Sequence, residues 1–288
     1  MYMFCLEVKV NNIHIVIDST AHADSEFINQ HKNVHVVPLK LVLGDKEYNE
    51  DEITNEELFD KVKATKAFPK TSQPPIGDFV NLFTKLVDEG NKVIVITVSA
   101  GLSGTIQGAT NAANMVNKKD IKVIDSGTTA VGMLRLAEKA VAMVEEGVEF
   151  DEIVDRLQQC ANATNTVVIT DTLEYLYKGG RIGGAAALFG TIMQIKPVMA
   201  LEDGKIIILD KVRTRNKSIT RMIEELAKFK AFDYIGIAHI AAYDEALKLK
   251  ERLQQIYPDT RITVTTGGAV LASHLGPGVL SLMYQERI

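Results

Sequence analysis

Val93-Ile94-Val95-Ile96-Thr97-Val98 runs directly into Ser99-Ala100-Gly101-Leu102-Ser103-Gly104-Thr105. An uninterrupted apolar run of this length, rich in β-branched residues, reads as a strand buried on both faces of a parallel sheet. The glycine-broken polar turn leads into a helix to about Val116, so strand, turn and helix form a βα unit with Ser103 near a carboxyl edge of the sheet. Before this unit, Ile13 to Ile17 is another β-rich run, ending in Asp18-Ser19-Thr20 ahead of helix-favouring sequence at Ser25-Glu26. After it, Ile121 to Asp125 gives a further strand, followed by helices from Thr128 to Glu146 and from about Phe150 to Cys160. The first half is therefore an α/β unit.

Between these elements, residues 34 to 43 read as one extended segment stopping at Gly44-Asp45. Thr54 and Glu57 form a capping box for a helix through about Ala64. Pro69, Pro74 and Pro75 stiffen the loop that holds Thr71-Ser72-Gln73, and an amphipathic helix follows from about Ile76 to Asp88. The polar stretch Ala161 to Asn165 reads as a domain junction. Beyond it come strand Val167 to Ile169, a mostly helical stretch from Leu173 to Ile195, and a hairpin turning at Asp203-Gly204. Alternating helices and strands then run to His274-Leu275-Gly276-Pro277-Gly278. The expected architecture is two α/β domains, residues 1–163 and 164–288, with a ligand cleft between them at the carboxyl ends of strands.

Composition narrows the function. The chain has 288 residues and a formal net charge of −5, with the charges interspersed, so no basic stripe is available to neutralise nucleic-acid phosphates. Cys5 and Cys160 lack the spacing of a disulfide framework or zinc site, which fits a reducing cytoplasm. The apolar start, Met1 to Leu6, has no cationic region before it and reads as an extra strand or loose end rather than a signal peptide. The uncharged run Ile182 to Ile195 falls short of the roughly 20 residues of a membrane span; it reads as a buried helix whose small residues could also leave room for an aliphatic tail.

Several polar groups could carry chemistry. Thr71, Ser103 and His274 each admit a structural reading, as caps or a hydrogen-bonded histidine, but together they supply neutral donors suited to a carboxylate. Ser103, one of Asp125 or Asp171, and His274 also follow the chain order of an α/β-hydrolase triad, though the second glycine of G-x-S-x-G is missing. The clusters Lys178 to Arg181 and Lys211 to Arg215 serve either as helix-terminal charges or in recognising an anion or acidic partner. Asp18, His22 and Asp24 invite a metal, yet carboxylates at a strand end ordinarily cap the next helix, so no metal is expected. Neither a Walker A sequence nor G-x-G-x-x-G occurs, and no nucleotide cofactor is indicated.

Taken in order, Asp18-Ser19-Thr20, Lys70-Thr71-Ser72-Gln73-Pro74, Leu102-Ser103-Gly104-Thr105, Asp125-Ser126, Lys178-Gly179-Gly180-Arg181-Ile182, Lys196-Pro197, Arg213-Thr214 and His274-Leu275-Gly276-Pro277-Gly278 resemble the DegV family from about Ile13 onward. The resemblance implies a bacterial fatty-acid-binding protein of two α/β domains. Thr71 and Ser103 would bind the carboxylate, and His274 would join that network. Several family members act as the acyl-binding subunit of fatty acid kinase, which implies a separate ATP-dependent kinase partner. Arg181 and Arg213 are candidates for contact with phosphate or that partner. No catalytic residue and no cofactor beyond the bound long-chain fatty acid is expected; the alternative is an acyl-ester hydrolase acting through Ser103 and His274. One departure is Ser99-Ala100, where the family usually has two serines.

Overall fold

The computed structural model describes residues 12–188 and 195–287. The expected N-terminal strand, and much of the apolar run from Ile182 to Ile195, lie outside the described residues. The chain opens with β1 (Ile13–Asp18), α1 (Ser25–Gln30) and β2 (Val34–Val37), then forms β3 (Lys40–Leu43), β4 (Lys46–Asn49), α2 (Asn55–Thr65) and β5 (Lys70–Ser72). It continues through α3 (Ile76–Asp88), β6 (Lys92–Thr97), α4 (Thr105–Val116), β7 (Ile121–Asp125), α5 (Ala130–Glu145) and α6 (Phe150–Asn162). Next come β8 (Thr164–Ile169), α7 (Glu174–Lys178), a 3-10 turn (Gly183–Leu188), the hairpin of β9 (Lys196–Glu202) and β10 (Lys205–Val212), and α8 (Arg215–Leu226). The last elements are β11 (Phe232–Ile240), α9 (Tyr243–Ile256), β12 (Arg261–Thr266), α10 (Ala269–Leu275) and β13 (Val279–Glu286).

The first sheet is parallel, in the order β2-β1-β6-β7. Within β6, residues 93 to 97 are all buried, as their apolar run requires. One face is covered by α3 and α4, where Phe79 and Phe83 meet Ala109 and Ala112; the alanines let two helices approach the same strands closely. On the other face α5 and α6 bury Met133, Leu136, Ile153 and Leu157.

The second sheet is mixed, in the order β10-β9-β8-β13-β11-β12. A third, small antiparallel sheet, β4-β3-β5, is inserted in sequence between β2 and β6 of the first. Its Leu41 and Tyr48 join one core with Val168, Met199 and Ala272 from the second half of the chain. Residues 39–72 therefore reach across to the second sheet, which carries Thr71 to α10.

Two expectations change. Residues 34 to 43 form two strands in different sheets, because Pro38 has no N–H to continue a ladder and Leu39 donates instead to Ser19 Oγ at 3.0 Å. The stretch after Leu173 is not one helix: α7 ends at Gly179-Gly180, and only a 3-10 turn follows among the described residues. The terminal stretch beyond His274 to Gly278 continues into β13, which lies between β8 and β11 in the middle of the sheet.

Candidate functional site

A narrow cavity lies between the carboxyl edge of the first sheet and one face of the second. It takes in about 910 Å³ of space not filled by atoms, part of it open to solvent. Its floor follows from strand alternation. Ile206 pairs with Leu201, Leu201 with Thr166, and Thr166 with Met283. Val168 pairs with Ser281, and Ser281 with Ala238. All of these line the cavity. The alternate residues, such as Val167, Leu280 and Ile237, turn away into the core under α8 and α9.

At one end the predicted polar residues converge. His274, at the close of α10, lies 2.6 Å from Thr71 Oγ1 through its Nε2. Burial, and next the Arg181 guanidinium, pull the His274 pKa down to about 4. Its imidazole is thus neutral near pH 7, and its Nδ1 has no hydrogen-bond partner among the described residues. A side chain on Gly179 would strike this ring, with its Cβ 2.4 Å from Nδ1. Ser103 also lines the cavity, just before α4, with its Oγ 2.9 Å from Thr105 Oγ1 and accepting from Thr105 N at 3.3 Å.

Arg181 is closer to this group than its sequence neighbours suggest. It lines the cavity, held by Nε donating to Leu102 O at 3.2 Å and Nη1 donating to Gly179 O at 2.7 Å. This polar end of the cavity therefore holds a full positive charge, whereas the sequence pointed to neutral donors alone. Lys178, from the same basic cluster, pairs with Glu174 at 2.8 Å and lies over the Phe68 ring. Arg213 is exposed ahead of α8 and does not line the cavity.

Among the described residues a hydrolase triad is not assembled: the His274 imidazole faces Thr71 rather than Ser103, and no carboxylate backs its Nδ1. Asp125 accepts from the backbone N–H groups of Ala100 and Gly127, and Asp171 pairs with Lys196. The carboxylates near Thr20 are likewise engaged. Asp18 accepts from Thr20 N and Val98 N, and Asp24 caps α1 through Phe27 N. Burial pushes the Asp18 pKa up to about 6.

Two contacts hold the site together. The β9–β10 hairpin tip rests on the turn after β6, so closely that a Cβ on Gly101 would lie 1.8 Å from Gly204 O. On the far side, Gly268 N donates to His22 Nε2 at 2.6 Å, Val270 N donates to Glu50 Oε1 at 3.0 Å, and Asn55 Nδ2 donates to Gly267 O at 2.6 Å. This clasp fastens the start of α10, and hence His274, to the first half. Nothing local in the sequence announced it.

Fold and site together define an α/β protein of two main sheets and one small one, with a thin, largely apolar cavity and a polar end. The DegV family model matches residues 12–287, and the chain belongs to that family. It is similar to Protein DegV of Bacillus subtilis, at 32% identity over 95% of this chain and 99% of that protein. The structure of that relative, described as a fatty acid binding protein, superposes with a TM-score of 0.85 and covers 96% of this chain and 99% of its own. A DegV family protein from Thermus thermophilus, described by its fatty acid binding, is 29% identical, with a TM-score of 0.88 and coverage of 96% and 99%. A stearic acid-binding protein from Eubacterium ventriosum is 26% identical, with a TM-score of 0.85 and coverage of 95% and 98%. No helix among the described residues is long and apolar enough to cross a membrane.

Proposed function

We propose that this protein binds a long-chain fatty acid, with the tail in the cavity and the carboxylate at Thr71, Ser103, His274 and Arg181. The observation that carries this reading is the convergence of those four groups on one end of a narrow, largely apolar cavity. Each buried CH₂ contributes about 0.8 kcal/mol, while a carboxylate leaving water must be hydrogen-bonded to avoid a large desolvation cost. Neutral His274 can donate from Nε2 to Thr71 Oγ1, freeing the threonine hydroxyl to donate to the ligand. Arg181 supplies the opposing charge. The relatives described as fatty-acid-binding support the same reading.

The bound acid is presented to a separate kinase subunit. There a carboxylate oxygen attacks the γ-phosphorus of ATP, giving acyl phosphate and ADP. The lack of a nucleotide-phosphate motif in this sequence favours a partner as the source of the ATP site, with Arg181 and Arg213 on the phosphate or partner side. Native mass spectrometry of protein from bacterial cells should show co-purified fatty acid, depleted by Thr71→Ala with Ser103→Ala; a lipid-free spectrum would sink the binding reading. Acyl phosphate should form only with protein, kinase subunit, ATP and fatty acid all present, and formation without this protein would exclude the subunit role.

A further inference from the structure

The cavity is not apolar throughout. Away from the Thr71–His274 end its lining includes four residues that carry hydroxyls: Thr20 and Thr129 from the first half, and Thr166 and Ser281 from the floor. All four residues are at most 7% exposed. Three of the hydroxyls have partners. Thr20 Oγ1 donates to Asp18 at 2.6 Å, Thr166 Oγ1 lies 2.8 Å from Thr128 Oγ1, and Ser281 Oγ donates to Ala238 O at 3.2 Å. The fourth does not. Thr129 is the N-cap of α5, but its side chain does not cap the helix, and Oγ1 is buried without a partner among the described residues.

Position along the cavity follows from β13. Val279 comes immediately after the turn that follows His274, whereas Ser281 and then Met283, the partner of Thr166, lie two and four residues further on. At strand spacing these are about 7 and 13 Å beyond Val279. The hydroxyl-lined part therefore lies along the chain of a bound acyl ligand, away from its carboxylate. An unsubstituted alkyl chain would leave the buried Thr129 hydroxyl unsatisfied, at a cost in free energy.

We infer that the cavity is suited to an acyl chain carrying an oxygen substituent, a hydroxy fatty acid in chemical class, whose oxygen accepts from Thr129. This rests on the fatty-acid reading above and refines its ligand. The test is displacement of a fluorescent acyl probe from the delipidated full-length protein by stearic acid and by hydroxystearic acids with the hydroxyl moved from mid-chain to the terminus. At least one hydroxy isomer should bind as tightly as stearate or more so, with a clear optimum in hydroxyl position. Thr129→Val should lower the ratio of that isomer's affinity to that of stearate about tenfold, and Thr129→Ser should restore it. If stearate outcompetes every hydroxy isomer, or the ratio ignores Thr129→Val, the hydroxyl belongs to a trapped water and the inference is wrong. If neither acid displaces the probe, the fatty-acid reading fails and takes this one with it.

Discussion

Thr71 and His274 stand 203 positions apart in sequence, yet Thr71 Oγ1 and His274 Nε2 are 2.6 Å apart. The pair exists because β5 pairs with β3 in a small sheet that packs against the second half of the chain. Thr71→Val keeps the shape and removes the hydroxyl, so fatty acid affinity should fall about tenfold, read by displacement of a fluorescent acyl probe. With the His274 pKa held near 4, affinity should not track an imidazole titrating at its ordinary value. A midpoint at about pH 6.5 that disappears in His274→Gln would show a charged imidazole instead.

The two arginines should separate. Arg181 lines the cavity and is anchored to two backbone carbonyls, so Arg181→Met should weaken fatty acid binding by about tenfold or more, as expected for a charge-assisted contact. Arg213 is exposed and away from the cavity. Arg213→Ala should leave binding intact and, under the kinase reading, slow acyl phosphate formation. Equal effects of both variants in the binding assay would contradict this division.

Acid should loosen the clasp around α10. Burial lowers the His22 pKa to about 4, so in this pH range the unfolded chain takes up a proton more readily than the folded one. His22 therefore leaves stability untouched above about pH 6.5, and removes it progressively as the pH falls toward 4, by about 3 kcal/mol in all. Asp18, raised to about 6, acts in the opposite direction. Comparing urea unfolding of the parent and His22→Gln cancels that contribution. The parent should lose stability relative to the variant on acidification, and parallel curves would refute it.

Gly101 has no room for a methyl group beside Gly204 O. Gly101→Ala should lift the hairpin off the Ser99–Ser103 turn, lowering stability by roughly 1–3 kcal/mol and weakening fatty acid retention. Gly77 is the control: it lies within α3 with nothing within 4 Å of its would-be Cβ. Gly77→Ala should be neutral or stabilising by up to about 1 kcal/mol. Thermal denaturation of both variants distinguishes a specific close approach from a general sensitivity to alanine.

Among the described residues Ser103 has no activating base: its Oγ is shared with Thr105, and His274 is turned to Thr71. A fluorophosphonate probe should leave it unlabelled at concentrations that saturate a serine hydrolase. Labelling abolished by Ser103→Ala would restore the ester-cleaving alternative.

Local signals were readable where one short segment decides its own structure. The apolar run ahead of Ser99 forms a fully buried strand, the Thr54–Glu57 capping box is formed, and the hairpin turns at Asp203-Gly204. Signals failed where tertiary partners decide. Alternation along β13 shows that Ser281 and Met283 share a face, but not that Val168, Ala238 and Thr166 lie beside them. Lys178 and Arg181 look like one basic cluster in sequence; the Gly179-Gly180 turn sends one to Phe68 and Glu174 and the other to the cavity. Pro38 was visible, yet only the sheet pairing reveals that it marks a change of sheet.

The place of β13 sets an order of assembly. Every other strand of the second sheet precedes it in the chain, yet it lies between β8 and β11. During synthesis the hairpin side and the β11–β12 side exist as two unjoined pieces until this strand leaves the ribosome. The cavity floor is closed by the same event. A nascent chain would thus have no continuous wall to offer a lipid, and its ability to hold one would arise in a single late step.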